Sequence, residues 1–421
     1  QPSLGRRSGR KTAQEMVMPK ILIHTMYFLP EFGSAPILMN ELAGYLAGRG
    51  HEVEVITTLP RPPQNRGYEG RLYMREKRDG FLAKRFPTNF AEHPIGRLVA
   101  WTIYTTATIA NLVFVRRGDV LFLRLPPLQL GLTGIIARRL KGVRFVLNVQ
   151  DIHPDLSIQS GILSNPFCIR LAQAFEKWIY GNSETIAVIS EGFKKNLLSK
   201  GVPPAKIHIL PNWVDTDFIR PMPKDNPVAR KFGLAGKFTA MYSGTISISS
   251  NLALEKVLEA AARLKSRPDM AVAIVGEGRK KKSLEDKAAA LGLTNVVFIP
   301  FQPYADLPAL LASADVLLVP LDTEKSHLSV PSKLYNFMAA GRPILGLADA
   351  SSEVAELIAS TGCGLCVPPD DPAGIAAAMV RLKEASAEAR AMAERGRKHA
   401  ESHYSRAVVL ERYEKLLAGA A

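Results

Sequence analysis

The stretch Ile21-Leu22-Ile23-His24-Thr25-Met26-Tyr27-Phe28-Leu29-Pro30-Glu31-Phe32-Gly33-Ser34 decides the fold, together with the apolar residues Leu38, Leu42, Tyr45 and Leu46 and the run Glu52-Val53-Glu54-Val55-Ile56. A β-branched run, a glycine-bearing loop, apolar residues at helical spacing and a second apolar run make one βαβ unit, in which the two strands lie parallel. The alternation continues, with strands expected near 120–125, 144–149, 185–189 and 207–210. Residues 18–211 therefore read as a doubly wound parallel sheet.

A Pro-rich passage over 212–223, containing Trp213, Pro221 and Pro223, interrupts the pattern, which restarts at Phe238-Thr239-Ala240-Met241-Tyr242. Further strands are expected near 270–275, 295–299, 315–319, 343–347 and 363–367, so residues 224–395 read as a second Rossmann-like α/β domain. From about Ala387 the chain looks helical; this end can pack on either domain by pattern, and 396–421 is expected to cross back to the first. Two such domains face each other across a cleft at the carboxyl ends of their strands, where open α/β sheets bind ligands.

Composition agrees. The 421 residues, 47% of them hydrophobic with 3 Cys, suit two packed domains and exclude a disordered, collagen-like or disulfide-stapled chain. Few cysteines suit a reducing compartment. The formal charge of +15 is uneven: residues 1–200 carry 27 basic and 15 acidic side chains, and 201–421 carry 27 and 24. Such a bias suits an anionic membrane surface or a phosphorylated substrate. Nucleic acid is not expected, since zinc-finger spacing, an RNA-binding aromatic signature and a basic heptad helix are all missing from the sequence. Residues 1–17, with the GRRSGRK run, read as a basic disordered tail.

Three places in the sequence suit an anion at a helix start. In the first loop Ser34 is the expected N-cap, and Gly33 lets a phosphate approach backbone amides. The segment Val275-Gly276-Glu277-Gly278-Arg279-Lys280 repeats strand, glycine loop and helix, with Arg279 beside the helix start. In Val330-Pro331-Ser332-Lys333-Leu334-Tyr335-Asn336-Phe337-Met338-Ala339-Ala340-Gly341, Pro331 and Ser332 open a short helix that Gly341 ends. Ser332, its neighbouring amides and Lys333 make an anion site, and Asn336, one turn on, can bond a diol on the same ligand.

This last stretch, with Pro211-Asn212-Trp213-Val214-Asp215, the Gly276-Glu277-Gly278 loop, Ala314-Asp315-Val316 and the loop Gln150-Asp151-Ile152-His153-Pro154-Asp155, resembles the retaining GT-B glycosyltransferases of family 4, notably the bacterial colanic-acid and O-antigen type. The resemblance runs from Met18 to the C-terminus. It implies a GT-B fold, a nucleotide-sugar donor, UDP-linked, held mainly by the second domain, a glycan or lipid-linked acceptor held mainly by the first, and no metal or other cofactor. It also implies that Gly244 and Thr245 lie on the diphosphate and that the loop with Phe301 and Gln302 reads the base.

The sequence departs from the family in three places. The family's Glu-x7-Glu pair falls on Leu328 and Asn336, so the sugar hydroxyls must be met by others, with Glu324, Ser326 and His327 as candidates. Thr245 and Asn251 stand where relatives carry Arg and Lys, leaving Lys333 and Arg279 as the phosphate cations. Gln150 replaces a common cleft His. Asp151, at a strand end, is the residue expected to orient the acceptor, and His153 is a second acceptor-side candidate or a structural histidine.

Asp215-Thr216-Asp217 spells a metal-binding DxD but lies in the linker, and Cys363-Gly364-Leu365-Cys366 is a lone CxxC that reads as a packed thiol pair. The reading as a whole is transfer of a sugar to an acceptor hydroxyl with retention, through front-face substitution in which the leaving phosphate takes the acceptor proton. A nucleotide-sugar epimerase and a non-catalytic nucleotide-sugar-binding subunit are the alternatives. Finally, Leu98–Val115 is uncharged and flanked by Arg97 and Arg116-Arg117, but five Thr and Asn residues make it a poor membrane span. It is expected as an interfacial or buried helix, with Trp101 and Ile103 facing lipid and the enzyme peripheral on the cytoplasmic face of the membrane.

Overall fold

The computed structural model describes residues 19–31, 33–88, 94–246, 248–321 and 331–419. Two sheets organise them. The first has eight strands: β1 (Ile21–His24), β2 (Val53–Thr58), β3 (Met74–Arg78), β4 (Phe81–Phe86), β5 (Val120–Leu125), β6 (Arg144–Val149), β7 (Thr185–Val188) and β8 (Ile207–Ile209), in the order β3-β4-β2-β1-β5-β6-β7-β8. All neighbours are parallel except β3 and β4. The second has six parallel strands: β9 (Phe238–Ser243), β10 (Met270–Val275), β11 (Val296–Ile299), β12 (Val316–Pro320), β13 (Ile344–Leu347) and β14 (Gly364–Val367), in the order β11-β10-β9-β12-β13-β14.

Each sheet is covered on both faces because its strands are apolar at consecutive positions. Leu22, Leu121 and Leu123 pack into one core with Tyr104 and Ile179, while Ile21, Ile23 and Phe122 enter another with Leu42 and Leu46. The period of two sends neighbours to opposite faces. In the second sheet Met241 and Leu317 lie under Leu334 and Met338, and Ala240 and Val316 under Leu258 and Met379.

The β3–β4 hairpin was not expected, because Met74-Arg75-Glu76-Lys77-Arg78 shows no apolar period. Its charges are paired instead: the fully buried Arg85 donates to Glu76 Oε2 at 3.0 Å, and Lys84 bonds Glu54 Oε1 at 2.5 Å. The turn is Asp79-Gly80, with φ of +39° and +84°, the Asp-Gly signal of a tight hairpin.

The chain crosses between sheets twice. Val214 N donates to Tyr404 O and Arg406 N to Val214 O, both at 2.9 Å, so the two crossings run side by side. The final helix, Arg406–Ala418, buries Val409, Leu410, Tyr413, Leu416 and Leu417 against the core of the first sheet. Trp213 locks the linker to the same unit, its indole donating to Glu41 Oε2 at 2.6 Å. Across from this pair, Ser190 donates to Glu353 Oε2 at 2.8 Å and joins first-sheet to second-sheet elements again.

Candidate functional site

The donor half is assembled from backbone. Gly244 N donates to Val275 O at 3.0 Å and Ile246 N to Glu277 O at 2.9 Å, so the loop after β9 lies on the loop after β10. Contact this close requires glycine: a Cβ on Gly276 would sit 2.0 Å from Gly244 O, and one on Gly278 would sit 2.1 Å from Ile246 O. Their φ angles of +136° and +157° are ones that L side chains rarely adopt.

Lys333 points into this double loop. Its Nζ lies 4.1 Å from the centre of the Tyr242 ring and would be 2.7 Å from a Cβ on Gly244. The Tyr242 hydroxyl donates to Thr245 O at 2.7 Å, so one tyrosine supports both the cation and the loop. Burial pushes the Lys333 ammonium down to about 8, since a low-dielectric setting disfavours its charged form. Among the described residues no carboxylate pairs with it, and an anion at this position would supply the counter-charge. Tyr242 carried no functional signal in the sequence, where it is one more aromatic in a strand.

Lys333 opens the helix Lys333–Ala339, and Ser332 precedes it without a side-chain capping bond, exposed. Asn336 is half-buried one turn later. Thr245 is exposed at the loop tip. At the end of β11 Phe301 is exposed, and the Gln302 amide turns back on its own loop, donating to Pro300 O at 2.9 Å. Glu324, Ser326, His327 and Leu328 lie outside the described residues.

The first-domain half, expected to take the acceptor, is assembled from side chains. A cavity of about 1010 Å³ opens at the carboxyl ends of β1, β2, β5 and β6, lined among others by Glu31, Arg61, Arg97, Trp101, Asp151 and His153. Arg279 reaches it from the second domain, so the cavity belongs to both halves. Glu31 is buried, its Oε1 accepting from Arg61 Nε at 3.0 Å, with Oε2 lacking a partner among the described residues. Asp151 is exposed to the cavity; beneath it burial lowers the Arg124 guanidinium, opposed by the Asp151 charge. His153 bonds Ser157 Oγ at 3.0 Å and meets Trp101 edge to face at 5.7 Å. Burial lowers its pKa, which keeps the ring neutral at pH 7. Arg61, Arg97 and Trp101 were not expected in this cavity: Arg61 is a lone loop residue, and Arg97 and Trp101, one turn apart on the helix Pro94–Ala110, read equally as a membrane-facing surface.

Gly33, with φ of +126°, precedes the helix Ser34–Gly48, and Gly33 rather than Ser34 occupies the N-cap, without a side-chain bond. Gln150 is a strut: its amide donates to Asn148 Oδ1 at 2.8 Å and accepts from Asn212 Nδ2 at 2.9 Å, tying β6 to the linker. Trp101, expected to face lipid, is half-buried against the core of the first sheet. The face of its helix that carries Tyr104, Thr105 and Thr108 is the buried one, while Leu98, Val99 and Ile103 are exposed.

Residues 231–399 match the family model for glycosyl transferases group 1, and residues 35–213 match the glycosyl transferase 4-like domain. The chain is 31% identical over 372 residues to the Escherichia coli protein assigned to colanic acid biosynthesis as the glycosyl transferase WcaI, covering 83% of this chain and 89% of that one. It belongs to the GT-B glycosyltransferases of this family. Solved structures agree on the fold. Sucrose-phosphate synthase from Thermosynechococcus elongatus superposes with a TM-score of 0.74 at 16% identity, over 96% of this chain and 100% of that chain. Anabaena HepE in complex with UDP-glucose superposes with a TM-score of 0.70 at 16% identity, over 95% and 99%.

For this glycosyltransferase the sequence decoys resolve simply. Asp215 Oδ1 accepts from the backbone of Asp217 at 3.1 Å and of Phe218 at 3.0 Å, and its other oxygen pairs with Arg406 at 2.9 Å. Cys363 is buried and Cys366 half-buried, both free, with burial raising both thiols away from reactivity. Among the described residues no group of three His, Cys, Asp or Glu side chains is placed to hold a metal ion, and no helix is long and apolar enough to cross a membrane.

Proposed function

We propose that this glycosyltransferase moves a sugar, hexosyl or acetamido, from a UDP-sugar to a lipid-linked or glycan acceptor in bacterial surface polysaccharide synthesis, with retention and without a metal cofactor. One juxtaposition carries the reading: Lys333 is held on Tyr242 under the Gly244 loop, and Arg279, next to Gly278 of the loop paired with it, lines the same cavity as Asp151 and His153 of the other domain. Lys333, Arg279 and the amides of the double loop receive the diphosphate and stabilise it as the glycosyl bond breaks. Asn336 bonds the ribose. Asp151 orients the acceptor hydroxyl, whose proton passes to the leaving phosphate on the same face of the sugar.

The UDP-bound state of HepE and the assignment of WcaI to colanic acid synthesis support donor and pathway class. Peripheral attachment at the cytoplasmic face is supported by the exposed Ile95, Leu98, Val99, Ile103, Val113 and Phe114 in a half of the chain rich in Lys and Arg. Calorimetry with UDP, GDP and ADP tests the base, and the anomeric proton coupling of the product tests retention. Nucleotide diphosphate release that requires acceptor identifies a transferase; conversion of the donor into another nucleotide sugar without acceptor identifies the epimerase, and binding without turnover the non-catalytic subunit. Sedimentation with anionic vesicles tests attachment, using Leu98→Ser and Ile103→Ser, which lie on the exposed face.

A further inference from the structure

A second cavity, of about 550 Å³, adjoins the acceptor cleft and takes no part in the proposed transfer. Leu98, Trp101, His153 and Ser157 line both spaces, so the Trp101–His153 pair is the wall between them. Beyond this wall the cavity runs beside the helix Pro94–Ala110 to the helix Pro166–Asn182, between Ile109, Leu132, Leu163 and Phe175. Thr102 and Thr106 also line it, but their hydroxyls donate to Leu98 O and Thr102 O, both at 2.9 Å, which leaves their methyl groups to the groove. Thr102 and Thr106 therefore add little polarity here, while Thr105, which also lines the groove, keeps a buried Oγ1 without a partner among the described residues.

The two ends of the groove differ. At the cleft end stands Arg97, adjacent in the chain to Leu98. At the outer end Leu171 and Phe167 are exposed near Cys168, which lines the groove. A ligand matched to this order has a polar sugar in the cleft, a phosphate near Arg97 and a hydrocarbon chain beyond it. We propose that the groove between the helices Pro94–Ala110 and Pro166–Asn182 binds the first isoprenoid units of a polyprenyl-phosphate-linked acceptor, with Trp101 and His153 as the threshold between chain and sugar. The inference rests on the reading of the acceptor as lipid-linked. It adds where the lipid lies and how the enzyme measures it.

The experiment is calorimetry on the full chain with UDP saturating the donor site, titrating inorganic pyrophosphate, geranyl diphosphate and farnesyl diphosphate. Burying added methylenes strengthens binding steeply with chain length, so farnesyl diphosphate is expected to bind at least tenfold tighter than geranyl diphosphate. Thr106→Glu places a charge in the groove from an exposed helical position, and Ala172→Trp fills it from the opposite helix. Each is expected to bring the two prenyl ligands within about twofold of one another, with UDP affinity unchanged. If the chain-length preference survives both substitutions, the groove is not the chain site, although the lipid-linked reading stands. If all three ligands bind the parent protein equally, the lipid-linked reading falls and the groove proposal falls with it.

Discussion

The two halves of the site are built from different materials. In the second domain the ligand-facing surface is mostly main chain: two glycine loops in hydrogen-bonded contact, a helix start and one lysine on one tyrosine. In the first domain it is side chain: Glu31 and Arg61 come from two loops, Arg97 and Trp101 from one turn of the helix Pro94–Ala110, and Asp151 and His153 from the loop after β6. A diphosphate has the same shape in every nucleotide sugar, and on the proposed reading fixed amides match it. Acceptors vary, and side chains on loops change without disturbing the sheet that carries them.

The largest test of this contrast is Gly276→Ala. The added carbon would lie 2.0 Å from Gly244 O, backbone against backbone, so UDP binding is expected to vanish in calorimetry. In the first domain Gly33→Ala meets nothing nearer than Pro36 Cδ at 3.8 Å, and only its left-handed backbone costs, about 1–3 kcal/mol in thermal melts. Equal losses of UDP binding in the two variants would remove the distinction.

Next, Lys333→Ala should weaken UDP binding by about 1.5–3 kcal/mol, as for a charge-assisted hydrogen bond. The same lysine sets a pH dependence. Free Lys333 loses its proton near pH 8, so UDP affinity in the parent should fall about tenfold per pH unit above that value, with proton uptake on binding. Lys333→Ala should abolish this slope. Stability takes the opposite sign. Between about pH 8 and the ordinary lysine value of 10.5 the unfolded chain holds a proton that the native lysine has lost, so this site favours the fold more as pH rises. Melting curves of parent and variant over pH 7 to 10 check it.

A smaller effect belongs to Asn336. Asn336→Leu should leave a ribose hydroxyl unpaired and weaken UDP by about 0.5–1.5 kcal/mol, while Asn336→Glu should be tolerated. The smallest is His153→Ala, expected to raise the acceptor KM by several-fold without changing UDP affinity. A change in UDP affinity would place His153 on the donor side and blur the two halves.

Most of the frame was legible. Strands β1, β2 and β5–β14 fall where apolar runs predicted them, because parallel strands buried on both faces read as continuous apolar runs. The β3–β4 hairpin did not, since Lys84 and Arg85 are buried as ion pairs whose partners, Glu54 and Glu76, are invisible to a search for hydrophobicity. Asp79-Gly80 was the available signal. In the second domain Gly276, Gly278 and Lys333 were singled out because glycine loops and helix starts are local in sequence, while Gly244 was named only through the family resemblance. That Gly276 is required by the Gly244 carbonyl, and Lys333 supported by Tyr242, is a fact of contact between segments roughly 30 and 90 residues apart.

By itself, then, the sequence determined the two doubly wound sheets, the proline-bearing linker and the glycine loop after β10, because each depends on periodicity or backbone freedom within a short window. The tertiary structure alone decided the rest. It made Gln150, which stands where relatives carry a cleft His, a strut on Asn212, set Trp101 half-buried against His153, brought Arg279 across to the first domain's cavity, and left an apolar groove beside it. These outcomes depend on which side chains meet after the chain has folded, and neighbours in space need have no pattern in common along the chain.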